Sequence, residues 1–280
     1  MPTYPELQGK VAVITGAGRR AGLGEAMAQR LAAEGCKVVL TDIGRAAGEH
    51  MPESAVGTAS EMQSIVDDIT AAGGEASAFN CNVLNPEEVA AAAAFAVETY
   101  GSLDIWVNNA GIGYLMKPIV EMSIDEWDTV LGVNLRGVFL GIQAAARIMI
   151  EQGRGGRIVN IGSQASKSGF GHASAYTTSK HGIVGLTRVA AMELGEHGIN
   201  VNTICPNHVT TGLGAWQNSH FSEVTGRDMD AYMREMRERI PLGRPGLQED
   251  IAKACAFLCS EQSAYMTAEC MSVSGGEEYH

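Results

Sequence analysis

The chain has 280 residues, a formal net charge of −12 at pH 7 and a pI near 5.0. This acidity disfavours nucleic acids and anionic membrane surfaces as partners, because the field of the protein would repel both. A hydrophobic fraction of 45% with 19% charged residues is typical of a globular protein with a large core, and the length suits one domain over residues 1–280. We therefore expect a small-molecule partner.

Targeting and cysteine patterns both point to an intracellular protein. The N-terminus has no basic flank followed by an apolar run, and no stretch of about 18 uncharged apolar residues is present to span a membrane. The six cysteines are scattered without a CxxC pair, which predicts neither a metal site nor a disulfide framework. Reduced thiols and a cytoplasmic location are the expectation.

Short runs rich in Val and Ile alternate along the chain with Ala- and Leu-rich segments. The apolar runs predict strands, and the Ala-rich segment from Pro86 to Tyr100 predicts a helix. The predicted strands lie at 10–15, 37–42, 76–83, 103–111, 156–163 and 198–206. Because they are apolar nearly throughout, helices must cover both faces of the sheet. The predicted fold class is α/β, a single doubly wound Rossmann-type domain with a parallel sheet of about seven strands.

Two segments interrupt this alternation and are predicted to be irregular. The segment 44–59 follows the second strand, so we expect a surface loop beside a cofactor crevice. The segment 212–239 follows the sixth strand and contains Trp216, Phe221 and Tyr232. Ligands bind at the carboxyl edge of open α/β sheets, so this segment is predicted to be a substrate lid. Its apolar side chains could either anchor the lid or form the substrate wall.

A glycine-rich turn, TGAGRRAGLG at 15–24, joins the first strand to the first helix. A dinucleotide pyrophosphate binds at such a position, where glycines allow close approach and the helix N-terminus favours negative charge. Asp42 ends the second strand 18 residues after Gly24, at the spacing of a carboxylate that hydrogen-bonds the adenosine ribose. Turn and carboxylate together predict a dinucleotide site.

A second group of residues has the chemistry of a proton-transfer site. Tyr176 and Lys180 are four residues apart on one predicted helix, so their side chains share a face. An adjacent ammonium favours the phenolate, so we expect Lys180 to lower the pKa of Tyr176 and make it a usable acid/base. Ser163, at the end of the strand GRIVNIGS, could donate a hydrogen bond to the reacting oxygen.

These motifs, with NNAG at 108–111, VNLRG around Asn134 and PNHVTT at 206–211, resemble the short-chain dehydrogenase/reductase family from about Gly9 to Gly276. The resemblance implies a catalytic tetrad of Asn134, Ser163, Tyr176 and Lys180. It also implies a homotetramer. The cofactor contacts that it implies are Gly16, Gly22, Leu23, Gly24, Asp42, Ile43, Asn82, Val83, Asn109, Ala110, Gly111, Tyr176, Lys180, Pro206, Val209 and Thr211. The candidate substrate contacts are Ser163, Tyr176, His208 and Trp216, although a histidine in a surface loop, such as His208 or His220, is usually solvated.

The sequence departs from the family pattern at three places. Five residues, Ala17 to Ala21, separate Gly16 from the following GxG, where the family has three. Asn82 replaces the usual adenine-contacting Asp, and its side-chain oxygen can still accept from the adenine amino group. Asn207 follows Pro206 where Gly is usual, which could alter the backbone path over the nicotinamide.

The predicted reaction is hydride transfer between NAD(H) and a secondary alcohol or ketone, with cyclic and polyol-like alcohols as candidates. An NADPH-dependent ketoreductase is the alternative, because Arg19 and Arg20 could favour a 2′-phosphate, whereas Asp42 opposes it. A nucleotide-sensing protein without turnover is a third hypothesis, and the intact tetrad argues against it. A serine hydrolase is excluded because Ser163 lies in IGSQA and lacks the glycines of a nucleophile elbow.

Overall fold

The computed structural model describes residues 2–45, 50 and 56–278. Within them a seven-stranded parallel sheet has the order β3-β2-β1-β4-β5-β6-β7. The strands are β1 (Val11–Thr15), β2 (Lys37–Asp42), β3 (Glu75–Asn80), β4 (Ile105–Asn108), β5 (Gly156–Ile161), β6 (Ile199–Pro206) and β7 (Cys270–Val273). This confirms the predicted fold class and adds the position of the seventh strand.

Helices cover both faces of the sheet, as the apolar strands require. They are α1 (Leu23–Ala33), α2 (Ala59–Ala71), α3 (Pro86–Tyr100), α4 (Ile124–Leu131), α5 (Gly137–Gln152), α6 (Ser174–Leu194), α7 (Gly212–Thr225), α8 (Met229–Arg239) and α9 (Gln248–Cys259). One core packs α1, α2 and α9 against the sheet, and a second packs α3, α5 and α6 against the other face. The predicted helix at Pro86–Tyr100 is confirmed as α3.

The chain reverses its direction of winding between β1 and β4, which are neighbours in the sheet. Their carboxyl ends therefore diverge into loops on opposite sides of a crevice, which is where open α/β sheets bind ligands. The loops after β1, β2, β4, β5 and β6 all open at this edge, and each contains residues of the predicted site. The topology thus brings together residues that are far apart in sequence.

Two sequence expectations about local structure are wrong. The segment 212–239 is not irregular but forms α7 and α8, with Thr211 and Asp228 as side-chain N-caps and Gly226 in the left-handed conformation between them. Several strands are also shorter than predicted: β4 ends at Asn108 rather than at 111, because the NNAG segment leaves the sheet to form the site. The predicted loop 44–59 lies partly outside the described residues, and its end at Gly57 packs against the backbone of Gly18.

The continuous helical run Ile124–Gln152 is long and apolar enough to pass a length-and-composition test for a membrane span, with a mean hydropathy of 1.3. Half of its most apolar window is buried inside the fold. The buried side chains belong to the core between α3, α5, α6 and the sheet, and core helices commonly pass this test. Phe139, on the exposed side of α5, remains 46% accessible.

Candidate active site

A cavity of about 590 Å³ opens at the carboxyl edge of the sheet. Most of the predicted cofactor and catalytic residues line it, including Gly16, Asp42, Asn82, Gly111, Ser163, Tyr176, Lys180 and Thr211. Three predicted site residues are not among the described lining residues: Gly24, Asn134 and Trp216. Gly24 and Asn134 lie directly behind the wall, as shown below, whereas Trp216 is turned away from the cavity.

The glycine-rich turn lies so close to its neighbours that side chains are excluded at several positions, two of them being Gly16 and Gly24. A Cβ at Gly16 would lie 2.6 Å from the Ala110 Cα, and Gly16 has a φ of +64°, in the left-handed region. A Cβ at Gly24 would lie 2.6 Å from the Gly16 carbonyl oxygen. The close approach exposes the backbone of the turn and the N-terminus of α1 to the cavity, an arrangement that fits a dinucleotide phosphate.

The two extra residues of the turn are accommodated by a bend at Ala21, whose φ is +53°. Arg20 points out of the crevice: its guanidinium donates to Glu25 at 2.7 Å and to Asp68 at 2.6 Å. The backbone N–H of Arg20 donates to Glu61 at 2.7 Å. Arg20 thus anchors the turn to α1 and α2, and the expectation that it faces the adenosine end is wrong, because carboxylates outside the crevice hold it.

Asp42 stands at the end of β2 with both carboxylate oxygens turned to backbone donors. One oxygen accepts from the Gly18 N–H at 2.9 Å and the other from its neighbour Ile43 at 2.8 Å. A Cβ at Gly18 would lie 2.6 Å from the Asp42 Cβ, so only glycine permits this contact. Burial raises the pKa of Asp42, and these hydrogen bonds oppose the rise because they favour the charged form.

The NNAG segment is fixed to the glycine-rich turn by hydrogen bonds. The Asn109 amide donates to the carbonyls of Thr15 at 2.8 Å and Gly16 at 2.9 Å, and the Thr15 hydroxyl accepts from the backbone of Asn109 and Ala110. Because these bonds join the ends of β1 and β4, they set the width of the crevice. Asn109 and Ala110 are therefore placed at the floor of the cavity by the same contacts that hold the turn.

Tyr176 lies near the start of α6, with its side chain packed into the cavity wall and only 8% of the residue exposed. Burial raises its pKa, whereas a hydrogen bond with the Ser163 hydroxyl lowers it. The Ser163 oxygen also accepts from the Ala165 N–H at 3.1 Å, which fixes the hydroxyl at the start of a short turn after β5. The structure thus joins the phenol and the serine that the sequence predicted as partners.

Lys180 follows Tyr176 by one turn of α6 and is almost completely buried. Its ammonium donates to the Ile161 carbonyl at 2.8 Å and lies 5.7 Å from the centroid of the Tyr176 ring. Burial lowers the pKa of Lys180 to about 8. The expected lowering of the Tyr176 pKa by this ammonium is not found: burial raises it, and the opposing hydrogen bond comes from Ser163.

Asn134 lies in a π-helical turn, Gly132–Arg136, between α4 and α5. Its side chain is fully buried and bonds both backbone groups of Ile112, each at 2.8 Å, and the Ser179 hydroxyl at 3.2 Å. A Cβ at Gly111 would lie 3.3 Å from the Asn134 side-chain oxygen and 3.7 Å from the Lys180 nitrogen. Asn134 therefore stands directly behind the wall that holds Lys180.

The loop after β6 is held by a carboxylate from the C-terminal segment. Glu277 accepts from the Asn207 amide and, at 3.0 Å, from Arg239 at the end of α8, and its carboxylate lies 3.6 Å from the His208 imidazole. Asn207 thus uses its side chain where the family has glycine. Burial lowers the pKa of His208, and Glu277 opposes that change. His208 lines the cavity rather than bulk solvent.

Trp216, a predicted substrate contact, does not line the cavity. It stacks on His220 with a ring separation of 5.2 Å and meets the edge of Tyr114 at 5.3 Å. The helical geometry of α7 instead turns Leu213, Gln217 and Phe221 toward the cavity. Phe221 was already a candidate for the substrate wall, whereas Leu213 and Gln217 were missed because the segment was expected to be irregular, so no helix face could be assigned.

The far end of the cavity is lined by Tyr232, Met233 and Met236 of α8, whose segment was a candidate for the substrate wall, and by four residues that sequence reasoning did not identify: Tyr114, Phe170, Arg239 and Glu277. They come from the loop after β4, from the loop after β5, from α8 and from the C-terminal segment. No motif marks them. Only the helical period of α8, with Tyr232 and Met236 four residues apart, could have indicated a shared inward face.

Comparisons with known proteins agree with this architecture. A family model described as enoyl-(acyl carrier protein) reductase matches residues 16–278. A short-chain dehydrogenase/reductase of Armillaria gallica is 38% identical over 269 residues, which is 96% of each chain. The chain belongs to the short-chain dehydrogenase/reductase family. The resemblance stated from the motifs is thereby confirmed.

Other relatives of this dehydrogenase/reductase act on different substrates. The cyclohexanol dehydrogenase of Acinetobacter sp. strain SE19 is 37% identical over 266 residues, covering 95% of this chain and 94% of the relative. A variant of actinorhodin polyketide ketoreductase, crystallised with NADPH, has a TM-score of 0.86 and 33% identity, with 100% of both chains covered. This short-chain dehydrogenase/reductase is thus an oxidoreductase of alcohols and ketones that uses a nicotinamide cofactor and a small-molecule substrate.

Proposed function

We propose that this enzyme transfers hydride between NAD(H) and a secondary alcohol or ketone, with Tyr176 as the acid/base. The observation that supports this most directly is the buried Tyr176 phenol, hydrogen-bonded with Ser163 inside the cavity and followed one turn later by the buried Lys180 ammonium. Cyclic and polyol-like secondary alcohols are the candidate substrates. The apolar side chains of Phe170, Phe221 and Met236 suit the carbon skeleton of such a ring.

Each tetrad residue has a distinct role in the proposed reaction. A bound nicotinamide supplies the hydride acceptor in oxidation and the hydride donor in reduction. Tyr176 removes the hydroxyl proton of the alcohol, or returns it to the ketone oxygen, while Ser163 donates a hydrogen bond to that oxygen. Lys180, held by the Ile161 carbonyl, binds the nicotinamide ribose. Asn134 holds both backbone groups of Ile112 and so supports the cavity wall behind Lys180.

The preference for NAD over NADP is proposed from Asp42. Its carboxylate is fixed at the end of β2 by the Gly18 N–H, on the adenosine side of the crevice. NADP adds a phosphate with nearly two negative charges at the ribose 2′ position. At about 5 Å and an effective dielectric of about 20, the repulsion is roughly 3 kcal/mol per charge pair before screening by solvent and salt. We expect about 2 kcal/mol to remain, or roughly a 30-fold preference in kcat/KM.

Asp42→Asn tests this preference more sharply than Asp42→Ala, because asparagine keeps an oxygen that can accept from the Gly18 N–H while it removes the charge. The ratio of kcat/KM with NAD to that with NADP is expected to fall from roughly 30 to within a few-fold of one. Asp67→Asn, an exposed position on α2, is the matched control and should leave the ratio unchanged. Equal or better use of NADP by the unmodified enzyme would reverse the assignment.

An NADPH-dependent ketoreductase is the alternative within the family, and the NADPH in the crystal structure of the ketoreductase relative supports it. The structure weakens one argument for it, because Arg20 is bound to Glu25 and Asp68 outside the crevice. A screen of cyclic, acyclic and polyol secondary alcohols with each cofactor, monitored by absorbance of the reduced nicotinamide, distinguishes the two. Cofactor binding without turnover of any substrate would favour the nucleotide-sensing hypothesis.

Two further features belong to the proposal. We infer that α7 and α8 form a lid over the substrate, because both helices line the cavity and cross the carboxyl edge of the sheet. We also infer a homotetramer, supported by an apolar groove on the surface of α4, α5 and α6 lined by Leu131, Leu135, Phe139 and Leu186. A second copy of the chain would cover this groove. The protein is proposed to act in the cytoplasm as one catalytic domain spanning residues 1–280.

A further inference from the structure

The extended glycine-rich turn contains two arginines, and the Arg19 side chain points in the opposite direction from that of Arg20. Its guanidinium donates to the Tyr114 hydroxyl at 2.6 Å, and it lines the cavity. A Cβ at Gly212 would clash with the same guanidinium, so Arg19 also lies against the backbone at the start of α7. One side chain therefore spans the crevice from the turn after β1 to the loops after β4 and β6.

The sheet order determines which part of a dinucleotide this guanidinium can meet. β1 lies between β2, which ends at Asp42, and β4, which is followed by Tyr114. Arg19 extends from the end of β1 toward β4 and β6, and therefore away from the strand that carries Asp42. In this position Arg19 cannot contact the 2′ substituent of the adenosine ribose. The sequence alone left open that Arg19 could favour a 2′-phosphate there.

The charge balance of the cavity makes Arg19 unusual. The other arginines that line it are paired with carboxylates: Arg227 with Glu235 at 3.1 Å, and Arg239 with Glu277 at 3.0 Å. Within the described part of the chain, Arg19 has no carboxylate within 4.0 Å, and the partner of its guanidinium is a neutral phenol. A partly buried guanidinium without a counter-ion, in a cavity that the glycine-rich turn also lines, has the chemistry of an anion-binding group.

We propose that Arg19 binds the pyrophosphate of the dinucleotide from the side opposite the α1 N-terminus and so determines how tightly the enzyme holds its cofactor. The backbone of the turn would contact the phosphates from one side, as in other dinucleotide sites, and the guanidinium would add charge-assisted hydrogen bonds from the other. Because Arg19 also touches the start of α7, the cofactor phosphates and the proposed lid would meet at one side chain. This inference rests on the proposed cofactor use.

Direct binding measurements separate this role from the alternatives without relying on turnover. Dissociation constants are measured for NADH by fluorescence and for ADP-ribose and adenosine by calorimetry, with the unmodified enzyme and with Arg19→Gln. Arg19→Gln removes the charge-assisted hydrogen bonds to the pyrophosphate. The dissociation constants of NADH and ADP-ribose are therefore expected to rise by about 10-fold to 100-fold. Adenosine has no phosphate, so its constant should stay within about twofold. The ratio of NADP to NAD affinity should also stay constant.

Two variants serve as controls. Arg237→Gln makes the same change on an exposed residue of α8 outside the cavity lining and should alter none of the constants. Arg19→Lys keeps the positive charge but lacks the planar guanidinium. Its dissociation constants for NADH and ADP-ribose should lie between those of the unmodified enzyme and those of Arg19→Gln. Thermal unfolding of each variant identifies any general loss of structure.

The possible results have distinct meanings. Unchanged NADH and ADP-ribose constants in Arg19→Gln would overturn the inference while leaving the proposed function intact. A loss shared equally by adenosine, or a changed ratio of NADP to NAD affinity, would place Arg19 elsewhere on the nucleotide and overturn it too. A raised KM for the alcohol with unchanged nucleotide binding would assign Arg19 to the substrate. Failure of the unmodified enzyme to bind NADH would overturn the cofactor assignment, and this inference with it.

Discussion

At the scale of single residues, the chemistry of the site depends on burial as much as on identity. Tyr176 and Lys180 are both almost fully enclosed, and enclosure favours the neutral form of each: the pKa of the phenol rises and that of the ammonium falls to about 8. Ser163 opposes the change at Tyr176 through its hydrogen bond. The site is therefore prepared to donate a proton at neutral pH, and to accept one more readily in alkali.

Tyr176→Phe removes the proton-transfer group and keeps the ring that packs in the cavity wall. Turnover is expected to fall by about 10²- to 10⁴-fold, while the dissociation constant for NADH should change by no more than about twofold. Steady-state kinetics and NADH fluorescence measure the two quantities. Tyr265→Phe, at a fully exposed tyrosine, is the control and should behave as the unmodified enzyme. Near-normal turnover in a well-folded Tyr176→Phe variant would disprove the assigned role.

The raised pKa of Tyr176 predicts an asymmetric pH dependence. Oxidation requires the deprotonated phenol, which is the minor form below the pKa, whereas reduction requires the protonated form, which is already present. Oxidation of the alcohol releases a proton. The ratio of kcat/KM for oxidation to kcat/KM for reduction therefore rises about tenfold per pH unit. Between about pH 6 and pH 7, below the pKa of about 8 to which burial lowers Lys180, we expect that rise to appear in oxidation, with reduction nearly constant. A fall in reduction over this range, with constant oxidation, would contradict a raised pKa.

At the scale of elements, the proposed lid is connected to the nicotinamide end of the site at its first residue. The Thr211 hydroxyl accepts from the Gly214 N–H at 3.0 Å and so caps α7, and Thr211 is also one of the predicted cofactor contacts. At the other end, Arg239 joins α8 to Glu277. The proposed lid is thus attached to the rest of the fold at its start and at its end.

Closure of the lid is expected to change the environment of Trp216, which now stacks on His220 and meets Tyr114. Trp fluorescence and protection from proteolysis within 212–239 are compared for the free enzyme, the cofactor complex and a ternary complex with a substrate analogue. The spectrum should shift and cleavage should slow in the ternary complex. Trp216→Phe should abolish the spectral change but not the protection. Identical behaviour of the free and ternary states would mean that α7 and α8 are static.

At the scale of the whole molecule, the outer surface of the long helical run Ile124–Gln152 and its neighbour α6 carries exposed apolar side chains. Phe139 and Ile150 on α5, with Val189 and Met192 on α6, are between 39% and 82% exposed. Exposed apolar surface of this kind marks protein contacts, and the proposed homotetramer would bury it. Asn134 and Tyr176 belong to these same helical segments.

Phe139→Asp tests this surface. A carboxylate buried at an interface without a partner costs several kcal/mol, so the dissociation constant of the assembly should rise by at least about 100-fold. Light scattering and sedimentation measure the mass across a dilution series. Val120→Asp makes the same change at an apolar residue that is 89% exposed in the loop before α4, and should leave the assembly intact. A monomeric unmodified enzyme would refute the tetramer, and an undisturbed assembly in Phe139→Asp would refute this interface.

Much of this enzyme was determined by short-range patterns in the sequence. Alternating strands and helices, the glycine-rich turn and the four-residue spacing of Tyr176 and Lys180 depend on local geometry, so they could be predicted without the fold. The caps of α7 and α8, Thr211 and Asp228, were also present in the sequence, although the aromatic content of the segment obscured them.

The tertiary structure alone decided what depends on distant residues. Glu277 meets Asn207 across 70 positions, and Arg19 meets Tyr114 across 95, and no spacing rule predicts either contact. The direction of the Tyr176 pKa likewise required the fold, because desolvation is a property of the packed environment. Local periodicity therefore specified the candidate catalytic group and the candidate cofactor-binding turn, whereas the counter-charges, the cavity wall and the direction of the pKa shifts were set by side chains that the sheet brings together.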